Sequence, residues 1–265
     1  MQAVLTHEGM IRIAIFATVL IAMMLLEAWL PRRRRSLERR QRWPANLGIV
    51  VAGSVLARLI LPLPPVAVAL WAEQSGTGLL NVIDMPSPIS IVASFIFLDL
   101  AIYTQHVVFH KIPMLWRLHR MHHADTDFDV TTGIRFHPFE IILSLLIKIA
   151  LITALGIPAI AVIVFEIALN AFSMFNHANL RLPAFADRTL RRLIVTPDMH
   201  RVHHSWHGDE LNSNFGFNLS IWDRLFKTYR AQPKDGHDDM NIGLSSFREA
   251  KNRSLTGLLM IPFRN

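Results

Sequence analysis

The feature that most limits this chain is a series of apolar runs close to the length a bilayer demands. A helix crossing the hydrocarbon core needs about 20 consecutive, mainly apolar residues. Residues 11–30, IRIAIFATVLIAMMLLEAWL, meet that demand, and PRRRRSLERRQR follows at once with seven arginines and one glutamate. No small-residue cleavage pattern follows the run, so it reads as a retained span. Cytoplasmic loops are biased toward positive charge, which places residues 31–42 inside and the N-terminus outside. A second span covers 45–72; Arg58 weakens it and PLPP at 62–65 breaks it, predicting a kink or a partly re-entrant segment. The loop at 73–88 carries Glu73 and Asp84 but no Lys or Arg, as expected outside the cell.

A third span, 89–110, returns the chain to the cytoplasm. Two further runs, 139–155 and 159–175, are separated by GIP at 156–158 and predict a helical hairpin. A hairpin brings the chain back to the side it left, so the polar remainder from His177 to Asn265 is also expected inside. The predicted fold is all-α: an integral membrane helical bundle with a cytoplasmic histidine-rich cap, in a bacterial inner membrane. Transmembrane segments at 1–88 are joined in one integrated domain to a catalytic region at 89–265.

The chain is 52% hydrophobic with a formal charge of +7. That charge could suit nucleic acid, but the basic residues flank apolar spans, as an anionic cytoplasmic leaflet explains. Nucleic-acid binding is therefore set aside. There is no cysteine, so any metal must be held by nitrogen and oxygen.

The histidines are not scattered. HRMHH at 119–123 recurs as HRVHH at 200–204, and HVVFH supplies His106 and His110. On a helix, residues at i, i+3 and i+4 share a face, so each HxxHH aims three imidazoles in one direction. Neutral imidazole is a good ligand for iron, copper, nickel and zinc. These eight nitrogens exceed the four of a tetrahedral zinc site, and a two-metal centre follows. With His137 and His177 they all fall on one side of the predicted membrane. His7 and His237 read as solvated; His207, three residues past the last box, is either near the metals or exposed, and reads first as exposed.

HxxxH, HxxHH and a late HxxHH resemble the fatty acid hydroxylase superfamily, the sterol desaturase-like membrane proteins. The likeness extends through FLDLAIYTQHVVFH, GIRFHPFE, FNHANL, TPDMHRVHH and NSNFGFNLSIWDRLFKTY, over roughly residues 90–230. It departs at Lys227, where the family usually has Gly, and this reads as a surface change. The resemblance implies a non-haem di-iron enzyme that uses O2 to hydroxylate or desaturate a lipid: fatty acyl, sphingoid, sterol or ether lipid. It implies that His106, His110, His119, His122, His123, His200, His203 and His204 bind the irons and carry the chemistry, with His177 as a ninth ligand. Reducing equivalents would come from a separate electron-transfer protein or a pterin-like reductant, since the chain shows no cytochrome domain or dinucleotide fingerprint.

Two further residues are expected to support the ligands from behind. Asp99 shares a helical stripe with Tyr103, His106 and His110, and an intramembrane carboxylate is functional by default; capping of a neighbouring backbone is its bland alternative. His137, in FHP, is either a support or an ordinary helix-start residue. Glu140 and Glu166 border or interrupt apolar runs without an assignable role. Asp198 is expected to cap the helix of the last box. The basic residues Arg181, Arg188, Arg191 and Arg192 read first as contacts for anionic headgroups, then as a docking face for an acidic redox protein. The alternative functions are a metal transporter, which should bind near the bilayer midplane in broken helices, and a zinc hydrolase, which should carry a glutamate inside HExxH.

Overall fold

The computed structural model describes residues 7–83 and 85–264. Asp84 and the extreme N-terminus, both used in the topology reading, lie outside the described residues. Eight helices come first: α1 (Glu8–Trp29), α2 (Arg39–Ile60), α3 (Pro65–Ser75), α4 (Leu79–Val82), α5 (Ser87–Lys111), α6 (Pro113–His123), α7 (Pro138–Leu155) and α8 (Ala159–Asn176). Short helices then follow in a polar C-terminal region, beginning with α9 (Ala184–Leu190) and α10 (Pro197–His203). Among the described residues there is no β-strand, only isolated bridges.

Five stretches are long and apolar enough to cross a membrane: α1, the interrupted stretch Arg39–Val82, α5, α7 and α8. The protein is an integral membrane protein. Its spans expose apolar side chains outward, including Ile13 and Ile21 on α1, Val51 and Val55 on α2, and Val92 on α5. In water such a surface would be a liability; in lipid it is the solvent-matched face. Arg58 is exposed near the end of α2, where a long side chain can reach the interface.

The predicted second span is two helices. The chain breaks at 61–64, where Pro62 and Pro64 forbid continuation, and Pro65 opens α3 at its first position. Lipid offers no hydrophobic drive for helix association, so close approach and packing must supply it. Ala69 of α3 and Ala161 of α8 are fully buried, in a core with Leu98, Ile152 and Phe165. At the far end, a Cβ on Gly78 would lie 2.1 Å from the backbone nitrogen of Gly156, so the α3–α4 and α7–α8 turns cross where neither has a side chain.

At the opposite end the Arg-rich segment after α1 joins the cap. Glu27, in the last turn of α1, is buried, and its Oε1 accepts from the amides of Val130 (2.7 Å) and Asn179 (2.8 Å). Arg42 donates to Asp125 (2.6 and 2.7 Å) and to Asp129 (2.7 Å), all three buried. Despite burial, which would raise it, Arg42 and Arg135 hold the Asp125 carboxyl well below the usual carboxylate range. Removing one partner of such a buried pair typically costs about 3–5 kcal/mol.

Lys227 is more than a surface change. It is exposed, but its φ is +60°, and it follows a short helix, Ile221–Leu225. The amide of Thr228 donates to the carbonyl of Asp223, and that of Lys227 to Arg224, the pattern of a helix ended by a left-handed residue. A side chain there costs about 1–2 kcal/mol that glycine avoids, less the larger entropy glycine loses on folding. Lys227→Gly should therefore raise the melting temperature of the detergent-purified protein by a few degrees. An unchanged or lower value would mean that the turn carries no such strain.

Candidate metal centre

The last turns of α5 carry His106 and His110. Pro113 then restarts the chain as α6, whose C-terminal half carries His119, His122 and His123. His177 follows the final residue of α8. α10 supplies His200 and His203, with His204 immediately after it. The residue that caps α10 is Thr196, whose hydroxyl accepts from the amide of Met199 at 3.4 Å. Asp198 stands inside the first turn and pairs with Arg201 and Arg32, so the expected cap was two residues out of register.

Four segments distant in sequence bring nine imidazoles into one place as two adjoining groups. His106, His110, His119, His123 and His203 form one; His122, His177, His200 and His204 form the other. Within each group one ring nitrogen per residue lies within 4.8 Å of all the others. Eight of the nine are buried, and His110 is half-buried.

The spacing is what a shared cation requires. In the first group the Nε2 atoms of His106 and His119 are 3.1 Å apart, His203 and His106 3.0 Å, and His110 and His123 3.2 Å. In the second, His122–His204 and His177–His122 are 3.2 Å, and His177–His204 and His200–His177 3.1 Å. Two nitrogens bound at about 2.1 Å to one cation come this close when their bonds subtend roughly 90–100°. The contacts of His106 with His119 and His203, and of His177 with His122, fail as hydrogen bonds, because the opposite ring nitrogens are already committed as donors. Nδ1–H of His106 donates to the carbonyl of Phe215, of His177 to Ser173 and of His203 to Ser213, each at 2.7 Å. His122 Nδ1 donates to the Arg135 carbonyl at 3.2 Å. That commitment leaves Nε2 as a bare lone pair directed inward.

Burial pushes His122, His123, His200, His203 and His204 well below the ordinary histidine range, helped by their imidazole neighbours. Burial brings His177 down to about 3. The rings are therefore neutral at physiological pH, the state metal binding needs. The donor set fits two nitrogen-preferring cations.

Glu140 is the supporting carboxylate. It lies in the first turn of α7, and its Oε1 accepts from His119 Nδ1 at 2.7 Å. The sequence signal was present in FHPFE, but only the packing of α7 against α6 selects which histidine it serves. Asp99 stands elsewhere. Its Oδ2 accepts from Trp222 Nε1 (2.8 Å) and the Leu219 amide (3.1 Å), and none of the hydrogen bonds of the described residues joins it to a histidine. It anchors the loop whose Phe215 carbonyl holds His106, so it acts two links from the ring. His137 also touches no ligand: it begins α7, accepting from the Phe139 amide at 3.3 Å, with Nε2 3.3 Å from the Leu259 carbonyl.

Of the histidines read as solvated, His207 pairs with Asp235 at 2.8 Å near the surface. His237 is buried close to Asp198, and burial lowers it to about 4. Arg181, Arg188 and Arg192 are exposed, whereas Arg191 is buried and pairs with Asp187.

A cavity of 340 Å³ opens beside the first group, with His106, His119, Phe109, Phe136 and Phe217 at its histidine end. Gly133 forms part of that wall. A Cβ there would meet the Ser173 carbonyl oxygen at 2.3 Å, so only glycine lets the 132–134 turn close over α8 beside His177.

Glu140→Gln should reduce metal retention of the purified protein by about 10–100-fold, as loss of a carboxylate behind a ligating imidazole does. Asp99→Asn keeps an acceptor for Trp222 and Leu219 and should retain metal near the wild-type level. Equal losses in the two variants would refute the assignment of Glu140 as the support and Asp99 as a loop anchor.

The comparisons with known proteins identify the family. The model of the fatty acid hydroxylase family matches residues 91–228, about half of the chain and all nine histidines. Among curated relatives, the ornithine lipid hydroxylase OlsE of Rhizobium tropici is 30% identical over 160 residues, covering 59% of this chain and 46% of its own. The alkylglycerol monooxygenase of Homo sapiens is 27% identical, covering 55% of this chain and 32% of the relative. The cholesterol 25-hydroxylase of Rattus norvegicus is 22% identical, covering 64% and 56%. The matched stretch thus spans roughly a third to just over half of these relatives. No solved structure matches. On the family match and the histidine boxes within it, the chain belongs to the fatty acid hydroxylase family.

Proposed function

We propose that this protein is a membrane-bound oxygenase that uses two iron ions and O2 to hydroxylate or desaturate a C–H bond of a lipid. The observation that carries the reading is the pair of adjoining imidazole groups beside a cavity lined by the spanning helices. His106, His110, His119, His123 and His203 would hold one iron, and His122, His177, His200 and His204 the other. Bound iron would supply the redox chemistry: RH + O2 + 2 e⁻ + 2 H⁺ gives ROH + H2O, and abstraction of a second hydrogen gives the alkene instead. The two electrons would come from a separate electron-transfer protein or a pterin-like reductant.

The chain's own residues orient and protect. The carbonyls of Phe215, Ser213, Ser173 and Arg135 and the carboxylate of Glu140 fix five rings by their Nδ1 atoms. Phe136 stacks on His122 with centroids 4.5 Å apart, Phe215 and Phe217 pack edge-on against His106, and Phe109 against His119, which keeps water from the reacting carbon. Lipid substrates of the relatives, namely ornithine lipids, alkylglycerols and cholesterol, suit entry from the bilayer. The transporter alternative loses support because the histidines gather where the spans end. The zinc-hydrolase alternative loses it because the nearest glutamate, Glu140, is engaged on His119.

The purified, active protein should contain two irons per chain. His122→Ala and His203→Ala, one from each group, should each retain less iron and lose the O2-dependent product. Expression under ¹⁸O2 with mass analysis of the membrane lipids reads that product directly, as ¹⁸O-labelled alcohol or as alkene. Active protein holding a single zinc and indifferent to O2 would end this reading.

The histidine face should lie in the cytoplasm of a bacterial inner membrane. Supporting this, the Arg-rich segment joins the cap: Arg33 donates to the Met240 carbonyl, and the amides of Ser36 and Leu37 donate to Asp127. A fluorescent reporter that matures only in the cytoplasm should be bright when fused after Asn265. Alkaline phosphatase activity at the same junction would reverse the topology.

A further inference from the structure

The cavity beside the histidines has a largely apolar wall, with Phe16, Val50, Ile102, Ile141, Leu145 and Leu169, that polar and charged side chains interrupt. Away from His106 and His119 it meets Gln105 and Ser144, which are hydrogen-bonded to each other at 3.1 Å, and then Asn170. It ends at three charged residues, Lys148 of α7, Glu166 of α8 and Arg12 of α1. Lys148 Nζ lies 2.6 Å from Glu166 Oε1, and both side chains are more than nine-tenths buried. Arg12 Nη2 lies 2.9 Å from Glu166 Oε2, and its Nη1 lies 3.2 Å from Glu8 at the rim. Lys148 is ten residues into an 18-residue span and Glu166 seven into another, so this pair is well inside the hydrocarbon layer, while Arg12 reaches it from near the start of α1. Ionisable groups at that depth are expensive and mark a site rather than a packing solution.

The arithmetic of donors is uneven. An ammonium has three N–H donors, and Lys148 makes one hydrogen bond among the described residues. The buried carboxylate of Glu166 faces two cations, Lys148 and Arg12, while Glu8 is partly exposed and serves Arg12 alone. A bare acyl tail filling this end would leave cationic donors without acceptors, which is costly out of water. We infer that Lys148, Glu166 and Arg12 form a specificity-determining subsite for an oxygen acceptor, a carboxylate or hydroxyl, on the substrate's end remote from the reacting carbon. The occupant is then a lipid with a second polar function. Its distance from the histidine end follows from α7: eight residues separate Glu140 from Lys148, on the order of 12 Å at 1.5 Å per residue. Which carbon reacts rests on the oxygenase reading; the acceptor subsite itself does not.

The test uses the full chain in nanodiscs and a palmitic acid probe carrying a mid-chain photoreactive diazirine. Crosslinks should map to peptides of α5 and α7, and unlabelled palmitic acid should compete at least tenfold better than hexadecane of equal chain length. Removing Lys148 alone would strand a buried carboxylate, so the paired variant Lys148→Met/Glu166→Gln is used. It should lose the tenfold preference while competition by hexadecane stays the same. Arg12→Gln, which leaves the buried pair intact, should lose part of it, and so keeps the test decisive if the paired variant does not fold. Equal competition by hexadecane and palmitic acid in the wild type overturns the inference, as does full preference in the variants that fold. Iron content and O2-dependent turnover are read on the same preparations: loss of turnover with the preference intact counts against the reaction and in favour of the subsite.

Discussion

Nine imidazoles whose lone pairs converge on two points are a repulsive arrangement until a cation occupies each point, and the rest of the molecule is organised to hold them there. The cost is met by rigid supports of different kinds. The 2.7 Å hydrogen bonds behind His106, His177 and His203 come from backbone carbonyls, which cannot swing away as a side chain can. The one behind His119 comes from a carboxylate, which adds negative charge and so raises ligand basicity. His123, His200 and His204 have buried Nδ1 atoms with no hydrogen-bond partner, so their orientation rests on packing. His123 and His204 stack on each other with centroids 4.4 Å apart, across the boundary between the two groups. The groups are thus one mechanical unit.

That unit is assembled from segments that have no local reason to meet. Glu27 of α1 binds the amides of Val130, in the loop after the second box, and of Asn179, two residues past His177. Arg42 of α2 gathers Asp125 and Asp129 from the same loop. A carboxylate and a guanidinium at the ends of spans therefore set the depth at which the histidine segments sit. Charges here are tolerable because each has partners, Arg39 lying 3.6 Å from the second oxygen of Glu27, and because this end of the bundle adjoins the polar cap.

The spans and the boxes were legible in the sequence because both are periodic signals. Apolar length is read directly, and i, i+3, i+4 spacing is a property of the helix itself. The break at 61–64 was legible for the same reason, since proline acts on its own backbone. What escaped was pairing between elements. Glu140 could have served any box or none, and Asp99, on the same stripe as His106 and His110, pointed to a histidine by position along one helix. The stripe predicted a shared face correctly, but that face also receives the 215–222 loop, and Trp222 and Leu219 reach Asp99 first. Lys227 escaped for a different reason. Its departure from the family pattern is a matter of backbone conformation, and a surface position says nothing about φ.

The same distinction bears on Lys148 and Glu166. In the sequence each interrupts an apolar run, and an interruption can be a functional group or a tolerated blemish. Membrane helices resolve a stray charge by snorkelling, as Arg58 does near the end of α2. Lys148 and Glu166 cannot do so from the middle of their spans. They are instead turned inward to the cavity that the histidines share, 18 residues apart in sequence and joined across the hairpin. A buried pair of this kind adds little to stability compared with well-packed apolar residues of similar volume. Its place on the wall of the cavity that the histidines also line therefore argues for a role in what the cavity admits.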